Sequence, residues 1–219
     1  MPQVFRPRAN TIARLVLLAI VLLPAAGVAL ACTLVRSDYI TRVGMAVNQP
    51  VPFSHQHHVA GLGLDCRYCH TGVENSAFAG VPPTHTCMTC HSQVWTNADI
   101  LAPVRQSLAK DQPLRWNRVH NLPNYVYFDH SVHIAKGVGC TTCHGQIDQM
   151  PLTAKSASLQ MQWCLDCHRD PAPNLRPKNE IFATDWNPPM DERRKQGHEL
   201  LKAYGVDPSK LTDCSVCHR

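Results

Sequence analysis

The apolar and polar positions divide the chain into two unlike parts. Residues 15–35 form an uncharged, mostly apolar run, with Arg6, Arg8 and Arg14 ahead of it and no acidic residue before it. At about 1.5 Å of rise per residue, such a run nearly matches a hydrocarbon core of about 30 Å. The pattern therefore predicts one transmembrane helix, which Pro24 would bend without stopping it from crossing. Three arginines on the leading side predict that residues 1–14 stay in the cytoplasm and that everything after residue 35 lies on the extracytoplasmic side. A cleaved signal peptide is the competing reading, with Ala29 and Ala31 offering small residues ahead of Cys32, but the run is long for the apolar region of a signal.

Past residue 35 the pattern predicts short helices separated by proline-bounded loops. Residues 98–110 read as a short helix, with Pro103 set awkwardly for a longer one. Residues 191–204 read as a polar, helix-like segment. Seventeen prolines and only 6% aromatic residues argue against a large conventional hydrophobic core. The net charge of +5 is modest and its longest basic run is Arg193, Arg194, Lys195, which excludes nucleic acid as the expected partner. That run reads as a solvated face.

Eleven cysteines and thirteen histidines are the compositional outliers. Ten of the cysteines fall in CxxC pairs, and a histidine follows every pair. Motif 1 is Cys66-Arg-Tyr-Cys69-His70, motif 2 is Cys87-Met-Thr-Cys90-His91, and motif 3 is Cys140-Thr-Thr-Cys143-His144. Motif 4 is Cys164-Leu-Asp-Cys167-His168 and motif 5 is Cys214-Ser-Val-Cys217-His218. CxxCH is the attachment sequence of c-type haem. Its two thiols, one turn apart, form thioethers with the vinyl groups, and the adjacent histidine supplies a nitrogen to iron. Zinc would use CxxC pairs in twos with no fixed histidine after each. A thioredoxin-like site would show one pair in a βαβ pattern, and a disulfide scaffold would not tie histidine to each pair. Five haem c groups are expected, and Cys32 is left as a free thiol within the apolar run with no role.

Subtracting the five proximal histidines leaves His55, His57, His58, His85, His120, His130, His133 and His198. A surplus of that size is what six-coordinate, bis-histidine haems require, and such irons favour electron transfer over catalysis; no catalytic residue is expected. An internal repeat sharpens this. Phe53-Ser-His55-Gln-His57-His58 precedes motif 1, and Phe128-Asp-His130-Ser-Val-His133 precedes motif 3, each an F-x-H-x-x-H followed by a glycine-containing connector. The chain thus reads as an anchor (15–35), a linker (36–52), a dihaem module (53–95), a connector (96–127), a second dihaem module (128–170) and a C-terminal segment (171–219) carrying motif 5. On a helix, residues three apart share a side but diverge by about 60°, so two imidazoles so placed reach two neighbouring irons. His55 is assigned to the first haem and His130 to the third, with His58 and His133 reaching across to other haems and His57 a bystander. His85 and His120 are further ligand candidates, and His198, Met150 and Met161 are alternatives for an iron still short of a ligand. The fold class expected is mostly α with extensive loop, a multihaem cytochrome c of c3-like dihaem modules behind a single transmembrane helix.

The segments FSHQHHVAGLGLDCRYCH, VPPTHTCMTCHSQVW, YFDHSVHIAKGVGCTTCHG, MQWCLDCHR and LTDCSVCHR together resemble one family, the membrane-anchored pentahaem cytochrome c subunit of alternative complex III. The resemblance runs from about residue 50 onward, and the apolar helix matches the family's anchor. It implies a subunit of a respiratory or photosynthetic quinol oxidoreductase. It also implies neighbours: a quinol-binding membrane subunit, an iron–sulfur subunit, a monohaem cytochrome, and a downstream cytochrome or copper carrier. Two other readings remain open. A membrane-anchored quinol dehydrogenase touching quinol itself would place its first motif close behind the membrane helix, whereas about thirty residues separate residue 35 from Cys66. A multihaem reductase would need one iron without a distal ligand, which the histidine surplus argues against.

Overall fold

The computed structural model describes residues 5–218, so residues 1–4 of the expected cytoplasmic segment lie outside the described residues. The chain divides into two units, residues 1–42 and 43–219. The first holds a long helix, α1 (Ala9–Arg36), followed by the single turn α2 (Asp38–Thr41). No residue of α1 is buried, and Pro24 lies inside it without ending it. It is the one helix among the described residues long and apolar enough to cross a membrane. A helix that satisfies its own backbone and is apolar all round suits lipid as solvent. Its start at Ala9 extends the expected apolar run by a turn and a half, taking Arg14 into the helix.

The second unit has no strand among the described residues, only isolated bridges joining Val43 to Lys155, Ala46 to Ala154 and Val138 to Leu175. Its helices are short. A π-helical turn (Gln56–Gly61) precedes α3 (Cys66–Cys69), and α4 (Thr84–His91) and α5 (Ala102–Lys110) follow. Then come α6 (His130–Ala135), α7 (Cys140–His144), α8 (Met161–Arg169), α9 (Met190–Ala203) and α10 (Cys214–Cys217). The expected helix at 98–110 is realised as a 3-10 turn, Asp99–Leu101, leading into α5. Pro103 sits in the first turn of α5, where its missing N–H costs no hydrogen bond. The polar segment at 191–204 is α9.

Few apolar side chains are fully buried. Val51, Leu101 and Val104 form one core, with Cys87 and Met88 of α4 and the loop residues Leu114 and Trp116 packed on it. Val73, Ala172, Leu175 and Ile181 are also buried. At Ala172, α9 packs against the 3-10 turn Ala172–Asn174. Arg176 closes this region. It is 3% exposed, donates to Ala183 O at 3.0 Å and to Thr141 Oγ1, and stacks over Trp186 at 4.6 Å. Its backbone N–H bonds Gly137 O at 2.8 Å, and its carbonyl accepts from the Tyr204 hydroxyl at 3.1 Å. The connector glycines make this approach possible. Gly137 has φ +87°, and a Cβ at Gly139 would fall 2.4 Å from the Arg176 guanidinium. The C-terminal segment thereby clamps the start of α7, which carries motif 3.

Gly197 sets how closely α9 approaches, because a Cβ there would lie 1.8 Å from Ala172 O, a backbone atom that cannot rotate away. Gly197→Ala would gain about 1 kcal/mol of helix propensity. Overpacking of about 1–3 kcal/mol or more opposes it and wins. The expected outcome is a lower thermal unfolding midpoint, read from the visible spectrum during melting. A raised midpoint would show that α9 does not bear on this turn.

Candidate haem-binding sites

All five motifs lie on short helices. Motif 1 forms α3, motif 2 ends α4, motif 3 is α7, motif 4 ends α8, and motif 5 forms α10. One helical turn brings the two sulfurs of each pair to the same side. Asp65 caps α3 by accepting from Arg67 N at 2.8 Å, and Asp129 caps α6 by accepting from Ser131 N at 2.8 Å. Each cap satisfies an N–H that would otherwise be unpaired at a helix start. The ten motif cysteines and Cys32 are all free thiols. Among the described residues no three His, Cys, Asp or Glu side chains converge as a metal cluster.

The histidine rings are held from one edge. His70 Nδ1 bonds Gly80 O at 2.7 Å, His91 Nδ1 bonds Val94 O at 3.1 Å, and His168 Nδ1 bonds Leu211 O at 2.8 Å. His218 Nδ1 bonds Tyr125 O at 3.1 Å. In the repeated segments, His58 Nδ1 bonds Ser54 O at 2.8 Å, His130 Nδ1 bonds Ala77 O at 2.8 Å, and His133 Nδ1 bonds Asp129 O at 2.7 Å. A carbonyl oxygen only accepts, so in these seven rings Nδ1 carries the proton and Nε2 keeps its lone pair. His55 Nδ1 meets Thr153 Oγ1 at 3.0 Å, and His144 Nδ1 meets His120 Nε2 at 3.3 Å. Metal-ligating imidazoles are oriented in this way, through the nitrogen that does not bind.

The same rings face each other in pairs. Ring centroids are 6.4 Å apart for His55 and His70, 6.2 Å for His58 and His91, 6.4 Å for His130 and His144, and 6.2 Å for His133 and His168. Two imidazoles on opposite sides of one metal should show about this spacing. A metal–nitrogen bond of about 2.0 Å and about 1.1 Å from nitrogen to ring centre, counted on both sides, give roughly 6.2 Å. The fit holds for four of the motifs. Opposite His218, among the described residues, no histidine ring lies at such a separation; its ring neighbour is Tyr125, at 5.9 Å.

The repeat is also a repeat in space. Phe53 stands edge-on to His55 at 5.0 Å and stacks on His58 at 4.4 Å. Phe128 does the same to His130 at 4.8 Å and His133 at 4.5 Å. One phenylalanine thus separates two imidazoles and turns them to different partners, a role that sequence spacing alone left unassigned to it.

The other histidines are placed differently. His57 is exposed and its ring stacks near Trp95 at 5.9 Å. His85 and His198 are exposed, on α4 and α9. His120 lies against His144, its Nε2 3.3 Å from His144 Nδ1 and the ring centroids 4.3 Å apart. Met161 is exposed at the start of α8, and Met150 is half-buried, its carbonyl bonded to Gln56 N at 3.1 Å. Sequence reasoning also missed the holding groups, namely the carbonyls of Gly80, Ala77, Val94, Leu211 and Tyr125. Backbone acceptors leave no mark in residue identity.

Burial favours the neutral form, the one that can ligate, in His55, His120, His133 and His144. It pushes His55 down to about 4, with the neighbouring charges of His70, His58 and His120 adding to the effect. His144 falls to about 3, first through burial and then through His120, His130, His70 and His55. His120 falls to about 4 through burial, with Lys155 and His130 contributing. His133 is lowered mainly by burial.

A mostly helical chain with paired imidazoles over repeated CxxCH helices defines the fold class, a multihaem c-type cytochrome. Comparison with known proteins agrees. Residues 126–219 match the family model described as cytochrome c7 and related cytochrome c. The chain is similar to the multiheme cytochrome c subunit of a menaquinone reductase from Nitratidesulfovibrio vulgaris (strain Hildenborough). The two are 29% identical over 171 residues, which is 78% of this chain and 67% of the relative. That relative does not point to alternative complex III in particular.

The lowered histidine values set a pH dependence. Unfolded imidazoles take up protons below about 6.5, whereas the folded His55, His120 and His144 do so only near 4 or 3. Between those values the unfolded state binds more protons, so stability falls as pH falls. The expected outcome is an unfolding midpoint flat above about pH 6.5 that drops steadily toward pH 4. A midpoint unchanged across that window would mean these rings are not buried neutral.

Proposed function

We propose that this chain is the electron-relaying, five-haem c-type subunit of a membrane-bound, quinone-linked oxidoreductase complex. Support comes from four imidazole pairs at metal-ligating separation over CxxCH helices, together with a relative named as a subunit of a menaquinone reductase. Haem, when bound, supplies a one-electron couple at its iron, tuned by axial ligands and burial. The chain's own residues do the rest. Cys66 and Cys69, Cys87 and Cys90, Cys140 and Cys143, Cys164 and Cys167, and Cys214 and Cys217 provide the thioether sulfurs. His70, His91, His144, His168 and His218 provide the proximal nitrogens. His55, His58, His130 and His133 provide distal nitrogens to motifs 1, 2, 3 and 4 in that order. With two held imidazoles available at each, these four sites would exclude substrate and water from a bound haem, which suits relay rather than bond-making. His120 acts as the partner of His144 Nδ1 rather than as a ligand.

The finer assignment is to alternative complex III. There the chain would sit beside an iron–sulfur subunit, a quinol-binding membrane subunit and a monohaem cytochrome, and electrons would leave to a cytochrome or copper carrier. α1 would anchor it as a single-pass protein, with residues 43–219 on the extracytoplasmic side, the orientation that Arg6, Arg8 and Arg14 favour. A second reading has one specific observation in its favour. His218 has no facing histidine among the described residues, as an open-site reductase would require.

Two measurements test these readings. The intact mass of the purified holoprotein should exceed that of the polypeptide by five haem masses, in a complex whose co-purifying subunits include iron–sulfur and polytopic membrane proteins. Fewer covalent haems, or a chain purified alone from mild detergent, sinks the proposal. Carbon monoxide added to the reduced protein should leave unchanged the spectral bands of the haems at motifs 1 to 4, each of which has two histidines. A carbon monoxide complex on one haem would favour the reductase reading.

A further inference from the structure

We propose that the five attachment motifs stand in the spatial order 2–1–3–4–5, with motifs 2 and 5 at the ends of one path and motifs 1 and 3 joining its halves. The proposal rests on reading the motifs as haem sites and goes beyond it by fixing neighbours. The chain order 1–2–3–4–5 would set motif 2 against motif 3, and the contacts run otherwise.

Motifs 2 and 1 are neighbours through the first repeat. His55 and His58, three residues apart, face His70 and His91 respectively. The two helices also touch, Tyr68 Oη of motif 1 meeting Thr89 Oγ1 of motif 2 at 3.0 Å. Motifs 3 and 4 are neighbours through the second repeat, where His130 faces His144 and His133 faces His168.

The step between halves runs through motif 1. The loop after it places Gly80 O on His70 Nδ1 at 2.7 Å and Ala77 O on His130 Nδ1 at 2.8 Å, so one short loop holds a ring of motif 1 and a ring facing motif 3. The return contact comes from the segment after motif 3, where Thr153 Oγ1 meets His55 Nδ1 at 3.0 Å and Met150 O accepts from Gln56 N at 3.1 Å.

Motif 5 joins at motif 4. His168 Nδ1 bonds the carbonyl of Leu211, three residues before Cys214. Cys217 O accepts from Tyr127 N at 2.8 Å, next to the Phe128 that stacks on His133. Motif 2, by contrast, has apolar side chains beside it rather than a second neighbouring motif. Cys87 and Met88 pack on Val51, Leu101 and Val104, and Thr84 is bonded to Ser107 of α5 at 2.6 Å. Electrons would therefore enter at one of motifs 2 and 5 and leave at the other, and each electron crossing between halves would pass motifs 1 and 3.

The test is a redox titration of the full-length holoprotein, followed by NMR exchange spectroscopy of the haem methyl resonances. His58→Ala and His133→Ala, each expected to convert one haem from low spin to high spin, assign the signals of motifs 2 and 4. Should either alanine variant fail to fold, His58→Met and His133→Met serve, marking the same haems by a raised potential. The expected result is that reduction of one haem shifts the potentials of its neighbours most in the pairs 2–1, 1–3, 3–4 and 4–5, with the 2–3 pair weaker than 1–3. A 2–3 interaction equal to or above the 1–3 interaction overturns the order. A covalent haem count below five would instead strike the reading of the sites, so the two failures are distinguishable.

Discussion

An imidazole offers one nitrogen to a metal with a defined direction only when its other nitrogen is held. In this chain that constraint governs where the loops go. Gly80, Ala77, Leu211 and Tyr125 lie far in sequence from some of the rings they fix, yet each brings a carbonyl to an Nδ1–H. Loops that would otherwise be free of structure are tied to histidines one by one. Fully buried apolar side chains are few by comparison, Val51, Leu101 and Val104 in one core and Val73, Ala172, Leu175 and Ile181 besides. These directed polar contacts therefore carry much of the tertiary connection between loops and helices in the second unit.

Electrostatics and packing act in the same direction at these rings. Burial lowers the proton affinity of His55 and His144, which preserves the lone pair that ligation uses. Phenylalanine contacts from Phe53 and Phe128 turn adjacent histidines to different partners without adding a competing donor. Arg176 supplies the opposite element, a buried cation packed on Trp186 and bonded beside motif 3. Its Nε has no hydrogen-bond partner among the described residues. A fixed positive charge at that point favours an added electron nearby, by the same Coulombic logic that shifts a pKa.

Much of the site could be read in the sequence because attachment chemistry demands fixed residues at fixed spacing. CxxCH announces itself, and the F-x-H-x-x-H repeat implied that His55 and His58 would serve different partners. The anchor was equally plain, being a run of one solvent preference long enough to cross a bilayer. Less was legible where backbone supplies the contact. Nothing in Ala77 or Gly80 as residues marks their carbonyls as acceptors. His120 illustrates the limit, since composition made it a ligand candidate but gave no sign that its Nε2 would meet the Nδ1 of His144. The glycine connectors were expected as turns. That Gly139 must also clear a guanidinium became visible only once Arg176 was placed, 37 residues on.

The two halves of the haem domain exchange favours. A group seven residues past His70 steadies the first ring of the second repeat, and a group nine residues past His144 steadies the first ring of the other. Near-equivalent surfaces that each complete the other are the mark of an isologous contact, the kind formed by two identical subunits about a two-fold axis. Here both partners lie on one polypeptide. The first half cannot finish its own histidine scaffold during synthesis until the second has emerged, so maturation of the first repeat must wait for Thr153, 98 residues past His55.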